Sequence, residues 1–334
     1  TYANGLEIFD HNGDGLLDIS IADAQAEKFY LLTAQKNGSY TREIIGSTIG
    51  WYERHKVLGP NHFAVILHRA HKILSVKKVN GKWVEKTILT EDSPNDFALK
   101  DINADGIQDY AISTHGHGTL ALHSSNETGF DRKVLLDTPG HTKHVSHFGT
   151  SEIIVSITNP GSLLKFDTKT NTFDFITNTF DFNGNSIETP VMGDSADIDG
   201  DGDIDFVIAA GGNTLVHDAC KRGIFWFENR EDTPRGGWIR HEVHVPALTA
   251  YEAKLSDIDQ DGDMDIIGSH FESPAQVILY ENDNGKWNVT SLFMSYEISG
   301  ANQINVADMN EDGKLDIVVP FNDKNSRIII FEQH

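Results

Sequence analysis

One acidic motif of nine residues occurs five times in this chain and constrains the fold more than any other feature of the sequence. The copy DIDGDGDID, at residues 197–205, places five aspartates and two glycines in nine positions. The other copies are DHNGDGLLD from Asp10, DINADGIQD from Asp101, DIDQDGDMD from Asp257 and DMNEDGKLD from Asp308. The shared pattern is D-x-[DN]-x-D-G-x-x-D. A lone acidic run is usually a solvated loop, but a recurring one indicates a repeated structural unit.

The spacing of the motif predicts a calcium site in each copy. Side-chain oxygens at positions one, three, five and nine point inward, the carbonyl of position seven joins them, and glycine at position six permits the sharp turn. Ca²⁺ prefers hard oxygen ligands in that number, and its charge offsets the repulsion between the carboxylates. Five ions would change the net charge from −23 to −13. The predicted ligands are Asp10, Asn12, Asp14, Asp18, Asp101, Asn103, Asp105, Asp109, Asp197, Asp199, Asp201, Asp205, Asp257, Asp259, Asp261, Asp265, Asp308, Asn310, Asp312 and Asp316.

The segments that flank each motif predict β-strands. Sequences such as DIDFVIAA, DMDIIGS and KLDIVVP run apolar and are rich in β-branched residues, so each motif is expected to join two strands of a hairpin. Two further units lack the motif but keep the course of the others, at HFAVILHRAHK from His62 and EIIVSITNPGSLLKFD from Glu152. Seven units of four strands result.

Seven repeated four-stranded units predict an all-β fold, a seven-bladed β-propeller in one domain, because a closed ring protects the sheet edges. The repeats resemble the FG-GAP/VCBS family, also found in the integrin α-subunit head and in calcium-bearing lectins, and the resemblance implies integrin-like calcium hairpins. The last unit ends with its third strand, SRIIIFEQH, and no fourth strand is evident. The expected blades are 1–46, 47–92, 93–138, 139–184, 185–246, 247–296 and 297–334.

Composition excludes several classes of partner. A formal charge of −23 argues against nucleic acid and against anionic membranes, which require a basic face. No run of eighteen apolar residues is present, so membrane insertion is not expected. The single cysteine leaves the compartment open, whereas three N-glycosylation sequons favour a secreted or extracellular protein. The oligomeric state is not indicated.

Sixteen histidines are many for 334 residues, and several fall at equivalent places in the repeat. His68 and His115 each lie six residues past the start of the second strand of their unit, His270 lies five past it, and His117 is close by. These positions belong to the face opposite the acidic loops, where propellers usually bind ligands. Neutral imidazole is a preferred ligand of Zn²⁺, so His68, His115, His117 and His270 are candidate zinc ligands.

The same face supplies candidate catalytic residues, at the end of a second strand for His115 and at the starts of first strands for the others. They are His115, His144, Tyr251 and Glu252, with Asp96 at the matching place in the third unit. A metal there would acidify a C–H bond beside a carbonyl or carboxylate, a histidine or Tyr251 would take the proton, and a second group would protonate the leaving oxygen. These residues predict a metal-dependent dehydratase or lyase acting on a sugar by β-elimination.

The repeats and the histidine-rich face also resemble the propeller part of the aldos-2-ulose dehydratase family. The resemblance implies a zinc-bearing propeller that dehydrates 1,5-anhydrofructose or glucosone, although the cupin domains of that family are absent. Propeller polysaccharide lyases are a related alternative. A calcium-stabilised lectin or adhesion module without catalysis, or an integrin-like head that binds a protein, fits the repeats as well. The upper loops differ between units, which favours a single site and hence the enzyme.

Overall fold

The computed structural model describes most of the chain as β-strand. Within the described residues there are 27 strands and one short 3-10 turn, His68–Ala70, so the all-β prediction is confirmed. Among the same residues, no helix is long and apolar enough to cross a membrane. The described residues are 3–102, 105–148, 151–158, 161–178, 187, 189–211, 222–230, 237–245, 249–271, 273–298, 300–322 and 327–333.

Consecutive strands pair as antiparallel meanders in the first four sheets. The first sheet contains β1 (Ala3–Phe9), β2 (Asp18–Asp23), β3 (Lys28–Ala34) and β4 (Tyr40–Gly46). The second contains β5 (Tyr52–Gly59), β6 (His62–Leu67), β7 (Lys72–Val79) and β8 (Lys82–Thr90). The third contains β9 (Pro94–Lys100), β10 (Asp109–Thr114), β11 (Thr119–Asn126) and β12 (Gly129–Asp137). The fourth contains β13 (Thr142–Phe148), β14 (Glu152–Thr158), β15 (Gly161–Asp167) and β16 (Thr172–Asn178).

The remaining strands form one large sheet and one small sheet. The eight-stranded sheet contains β17 (Pro190–Ala196), β18 (Asp205–Ala210), β19 (Gly223–Arg230), β20 (Gly237–His244), β21 (Ala250–Ser256), β22 (Asp265–His270), β23 (Ala275–Asp283) and β24 (Lys286–Ser295). The three-stranded sheet contains β25 (Asn305–Ala307), β26 (Asp316–Pro320) and β27 (Ile328–Phe331).

The number of separate blades differs from the prediction. Five sheets have four strands or more, four of them four-stranded and one eight-stranded, where the sequence predicted seven separate blades. The reason is a parallel bridge between Met192 of β17 and Glu252 of β21, which joins two four-stranded meanders edge to edge. The described part of the last sheet has three strands.

The chain divides into two compact units. Unit 1 comprises residues 1–95 and 297–334, and unit 2 comprises residues 96–296. In unit 1, the sheet β1–β4 buries Phe29 and Leu31 against Tyr52 and Phe63 of the sheet β5–β8. Its strands β1 and β2 also share a core with Val318 of β26.

Unit 2 contains three apolar cores, each between two meanders that follow one another in the chain. The second strands β10, β18 and β22 are buried along their whole length, and the two cores beside β18 show that a meander covers each of its faces. This explains their continuous apolar sequences, since a strand with one solvated face would alternate. The fourth strands, such as β24, are mostly exposed and carry polar residues.

Candidate functional site

The five acidic loops share one hydrogen-bond pattern. Each loop joins the first strand of a meander to the second, from β1–β2 to β25–β26. In every copy, the N–H of the glycine at position six donates to Oδ2 of the first aspartate, as Gly15 does to Asp10 at 3.0 Å. This glycine has a positive φ in all five loops, 90° at Gly15, which side chains with a Cβ rarely adopt. The loop geometry therefore requires glycine at position six.

The closing aspartate of each loop is buried and accepts two backbone N–H groups. Oδ2 of Asp205 accepts the N–H of Ile198 in its own loop at 3.0 Å, and Oδ1 accepts the N–H of Asn229 on the third strand at 2.8 Å. Each closing aspartate therefore links its loop to a backbone amide on the third strand of its sheet or, for Asp316, just after it. The equivalent pairs of donors are His11 and Ala34 for Asp18, Ile102 and Ser125 for Asp109, Ile258 and Asn282 for Asp265, and Met309 and Gln333 for Asp316.

Two of the loops bring three carboxylates together in a way that suits a cation. Oxygens of Asp197, Asp199 and Asp205 lie within 4.8 Å of one another, and the same holds for Asp257, Asp259 and Asp265. Burial, together with the charge of Asp199, raises the pKa of Asp205 to about 6. A cation among these oxygens would reverse that effect, because it favours the ionised form.

An unpartnered oxygen in the fourth loop also fits a calcium ligand. Oδ1 of Asp257 is buried and makes no hydrogen bond, and a buried oxygen without a partner is costly. In the described residues, the other predicted ligands lie in loops of the same geometry. The N–H of Asp14 donates to Oδ1 of Asn12 at 2.8 Å, and the N–H of Asp312 donates to Oδ1 of Asn310 at 3.0 Å. Asn103 lies outside the described residues. The donors present fit calcium, which would supply the charge that holds the loop closed.

The predicted zinc ligands occupy different environments. In unit 1, Nδ1 of His68 donates to the carbonyl of Pro94 at 2.9 Å. In unit 2, His115 and His117 are exposed, and the ring of His115 stacks on that of His141 with a centroid distance of 4.3 Å. Within the described residues, every set of three or more acidic, histidine or cysteine donors close enough to share a metal consists of aspartates. Neither unit groups its described histidines as zinc ligands.

His270 is the last residue of β22, and its environment differs from those of His115 and His117. It is buried on β22, near His244, and burial lowers its pKa to about 4. Gly268, two residues earlier on the same face, packs against Tyr280 and Ile224 in the core between two meanders. Because side chains two residues apart share a face of a strand, the His270 side chain is directed toward that core.

Asp96 and His144 form a buried pair in unit 2. Nδ1 of His144 lies 2.7 Å from Oδ2 of Asp96, and the side chains are 11% and 7% exposed. The carboxylate is also held by the N–H groups of Phe97 and Val145. Since a carboxylate only accepts, the neutral imidazole carries its proton on Nδ1 and leaves Nε2 unprotonated. This Nε2 is buried and makes no hydrogen bond within the described structure.

Tyr251 and Glu252 lie at the start of β21, beside a second polar group that the sequence reasoning missed. The pairing registers shift at Thr142/His144 and at Ala250/Glu252, so Lys143 and Tyr251 are the extra residues of β-bulges, which re-aim side chains. Nζ of Lys143 lies 5.9 Å from the ring centroid of Tyr251, whose other contact is a stack on Phe271. Glu252 is buried.

The side chain of Lys143 therefore extends from the start of β13, where His144 lies, toward Tyr251 at the start of β21. Nothing in the spacing of the motif GHTKHVSHF identifies Lys143. A bulge is a local break in register, and only the pairing of β13 with β14 reveals it.

Comparison with known proteins supports the fold. The family model for FG-GAP-like repeats matches residues 257–319, which contain the fourth and fifth acidic loops. No curated protein matches the chain. Similar solved structures include the WD40 β-propeller domain of Doa1, with a TM-score of 0.63 and 13% identity over 99% of this chain and 93% of that chain.

Two other similar structures are lyases by name. A streptogramin B lyase has a TM-score of 0.64 and 14% identity over 97% of this chain and 95% of that chain. Virginiamycin B lyase from Staphylococcus aureus has a TM-score of 0.60 and 11% identity over 94% of this chain and 90% of that chain. At these identities the similarity shows a β-propeller fold and nothing of the chemistry.

Proposed function

We propose that the protein is a carbon–oxygen lyase that acts on a sugar by β-elimination. The observation that carries this proposal is the pair formed by Asp96 and His144. A buried carboxylate orients the imidazole, fixes its proton on Nδ1 and leaves Nε2 as a base without a partner. Unsatisfied buried polar atoms cost stability, and a catalytic role is one reason for a protein to keep one.

The surrounding side chains supply the other roles of an elimination. His144 takes the proton from the carbon beside a carbonyl or carboxylate, the electron pair forms the C=C bond, and the C–O bond at the next carbon breaks. The ammonium group of Lys143 stabilises the negative charge that develops on the enolate oxygen. Tyr251, whose ring centroid lies 5.9 Å from that ammonium nitrogen, protonates the leaving hydroxide or alkoxide. The products are an unsaturated sugar and water or an alcohol, and no oxidant is required.

A funnel zinc ion has no role in this proposal. The described histidines of each unit do not group as ligands, and His270 faces a core between meanders. No step is therefore derived through zinc, and the proton transfers rest on protein groups alone.

The number of blades and the occupancy of the acidic loops by calcium are part of the same proposal. We count the two meanders of the eight-stranded sheet as two blades and the three-stranded sheet as one, which makes seven blades. Calcium fills the five acidic loops and stabilises the fold. A secreted protein would meet calcium concentrations high enough to fill such loops, since extracellular calcium sites bind with Kd values of roughly 10⁻⁴–10⁻³ M.

The test is an assay for an unsaturated product. The purified protein is incubated with 1,5-anhydrofructose, glucosone and uronic-acid oligosaccharides, and absorbance of an enone or unsaturated uronate is recorded. His144→Gln should lower turnover by about 10²- to 10⁴-fold, the usual contribution of a general base. His117→Gln, at an exposed histidine of the same unit, is the matched control and should leave turnover unchanged. Equal turnover in the two variants would refute the role of His144.

One observation favours a second function, sugar binding without catalysis. Nε2 of His144 is shielded from solvent, so a substrate reaches it only if neighbouring side chains move. A propeller that binds glycans through its upper loops needs no such movement. Binding to a glycan array without turnover of any sugar in the panel would support this second function.

A further inference from the structure

A loop in unit 1, residues 47–51, is held in place by one carboxylate. Glu85 of β8 accepts the N–H of Ser47 at 3.2 Å, the hydroxyl of Thr48 at 3.0 Å and the hydroxyl of Tyr52. Tyr52 is fully buried, and its oxygen in turn accepts the N–H of Thr48 at 2.9 Å. Both ends of the loop are therefore fixed to β8, which makes the loop a rigid support for the side chains between them.

Two residues of this loop are unusual, one in its exposure to solvent and the other in its backbone conformation. Ile49 is 77% exposed, the most exposed large apolar side chain among the described residues. Trp51 has a φ of 67°, in the left-handed region that a bulky aromatic residue rarely adopts. Strained backbone of this kind persists where the surrounding structure enforces it, and such residues cluster at ligand-binding sites.

Trp51 is held on its edge and on one face. Its indole N–H donates to Oε2 of Glu53 at 2.7 Å, and the same oxygen accepts Nδ2 of Asn4 at 2.8 Å. The guanidinium carbon of Arg69 lies 4.0 Å from the centroid of the indole ring. The loop and the turn that carries Arg69 are joined by a backbone hydrogen bond from Arg69 N to Gly50 O at 2.8 Å.

The guanidinium of Arg69 has no acidic partner. Arg69 is exposed, and within the described residues its side chain contacts Trp51 but forms no ion pair or hydrogen bond. This is unexpected in a chain with 50 acidic and 27 basic residues. Because an indole ring offers no strong hydrogen-bond acceptor, the contact with Trp51 leaves the guanidinium N–H groups available to a planar oxyanion.

We propose that Ile49, Trp51 and Arg69 form a binding site for the carboxylate of an acidic sugar. The guanidinium edge takes the carboxylate in a bidentate pair, the geometry that arginine matches and lysine does not. Ile49 contacts the apolar face of the sugar ring. The carboxylate follows from Arg69 itself, whereas the sugar rests on the function proposed above. This site lies in unit 1 and shares no residue with those assigned to elimination.

Equilibrium binding tests the site without reference to turnover. Trigalacturonate is titrated into the full chain by calorimetry, with maltotriose as the neutral probe and inorganic sulfate as the non-planar anion. Arg69→Gln should weaken trigalacturonate binding by about tenfold or more, the loss expected for a charge-assisted pair. Arg42→Gln is the matched control, because Arg42 is also exposed and lies over an aromatic ring, 5.2 Å from the centroid of Tyr30, but on a strand without such a loop.

Each outcome decides the proposal. Loss of affinity in Arg69→Gln, with Arg42→Gln unchanged and melting temperatures equal, supports the site even if no sugar is turned over. Equal affinity for maltotriose, preference for sulfate, or unchanged binding in Arg69→Gln overturns it. Absence of any binding up to about 10 mM trigalacturonate, beyond the weakest useful affinities, overturns it as well.

Discussion

Oδ2 of Asp96 and Nδ1 of His144 lie 2.7 Å apart although β9 and β13 belong to different sheets. The contact joins the starts of two first strands and buries a titratable pair with little access to water. A carboxylate in this position determines which nitrogen of the imidazole carries the proton. The proton position is therefore a property of the fold and can be measured without a substrate.

The first prediction concerns the tautomer of His144. ¹⁵N NMR of the protein at neutral pH should show the Nδ1–H form of His144, and Asp96→Leu should abolish that preference. If the elimination is correctly assigned, Asp96→Leu also lowers turnover by about 10²-fold, because the base is no longer oriented. An Nε2–H form in the unmodified protein would contradict the pair as described.

The second prediction concerns calcium. Calcium at about 100 times its Kd stabilises a protein by about 2.7 kcal/mol per site, so the melting temperature should rise by several degrees. Asp199→Asn removes one carboxylate from the group with Asp197 and Asp205 and should reduce the rise. Asp203→Asn changes the same charge at position seven, where the predicted ligand is the backbone carbonyl, and serves as control. Equal responses of the two variants would exclude calcium binding by this loop.

The third prediction concerns acid stability. Burial lowers the pKa of His270 to about 4 in the folded chain, below the value of 6.5 for an exposed histidine. Between these values the imidazole of His270 is protonated in the unfolded chain but not in the folded chain. The free energy of unfolding therefore decreases as the pH falls from 6.5 toward 4. From pH 7 to pH 5 this group should cost about 2 kcal/mol.

His270→Leu removes the contribution of His270 to the pH dependence of stability. Burial also lowers the pKa of the neighbouring His244, and its contribution remains in the variant. Denaturant unfolding at pH 7 and pH 5 should therefore show a smaller loss for the variant than for the parent protein. Parallel losses would mean that His270 titrates normally.

The fourth prediction concerns the hydrogen bonds that fix the loop 47–51. Tyr52→Phe removes a hydroxyl that donates to Glu85 and accepts from Thr48, inside a buried environment. A hydrogen bond to a charged group contributes about 1.5–3 kcal/mol, so the free energy of unfolding should fall by about that amount. Tyr30→Phe, at a half-buried tyrosine whose hydroxyl makes no hydrogen bond within the described residues, should change it by less than about 0.5 kcal/mol. Similar effects of the two substitutions would contradict the described network.

The strands and their hairpins were predictable because the information for them is local. The acidic motif fixes a turn through its spacing, and the apolar runs beside it identify strands such as β18 and β22, which are buried on both faces. The parallel bridge between Met192 and Glu252 depends on how two meanders approach each other, and no local pattern encodes that approach.

The site was predictable in its parts but not in its pairing. The sequence placed Asp96 and His144 at matching positions of the repeat, yet their contact depends on side-chain direction across two sheets. Counting from the motif grouped His270 with His115, but the structure buries His270 and exposes His115. The left-handed backbone of Trp51 has no signature in the sequence, because it occurs where Gly50 lies against Ala70, a contact between a loop and a later turn that no local pattern encodes.

The closing aspartates have a consequence for hydrogen exchange. Each one holds a single backbone amide on or just after a third strand, those of Ala34, Ser125, Asn229, Asn282 and Gln333. An amide exchanges with deuterium only when its hydrogen bond opens, so these five positions report the opening of five loops one at a time. Removal of calcium should accelerate exchange at these amides first, and the order in which they lose protection would rank the loops by strength.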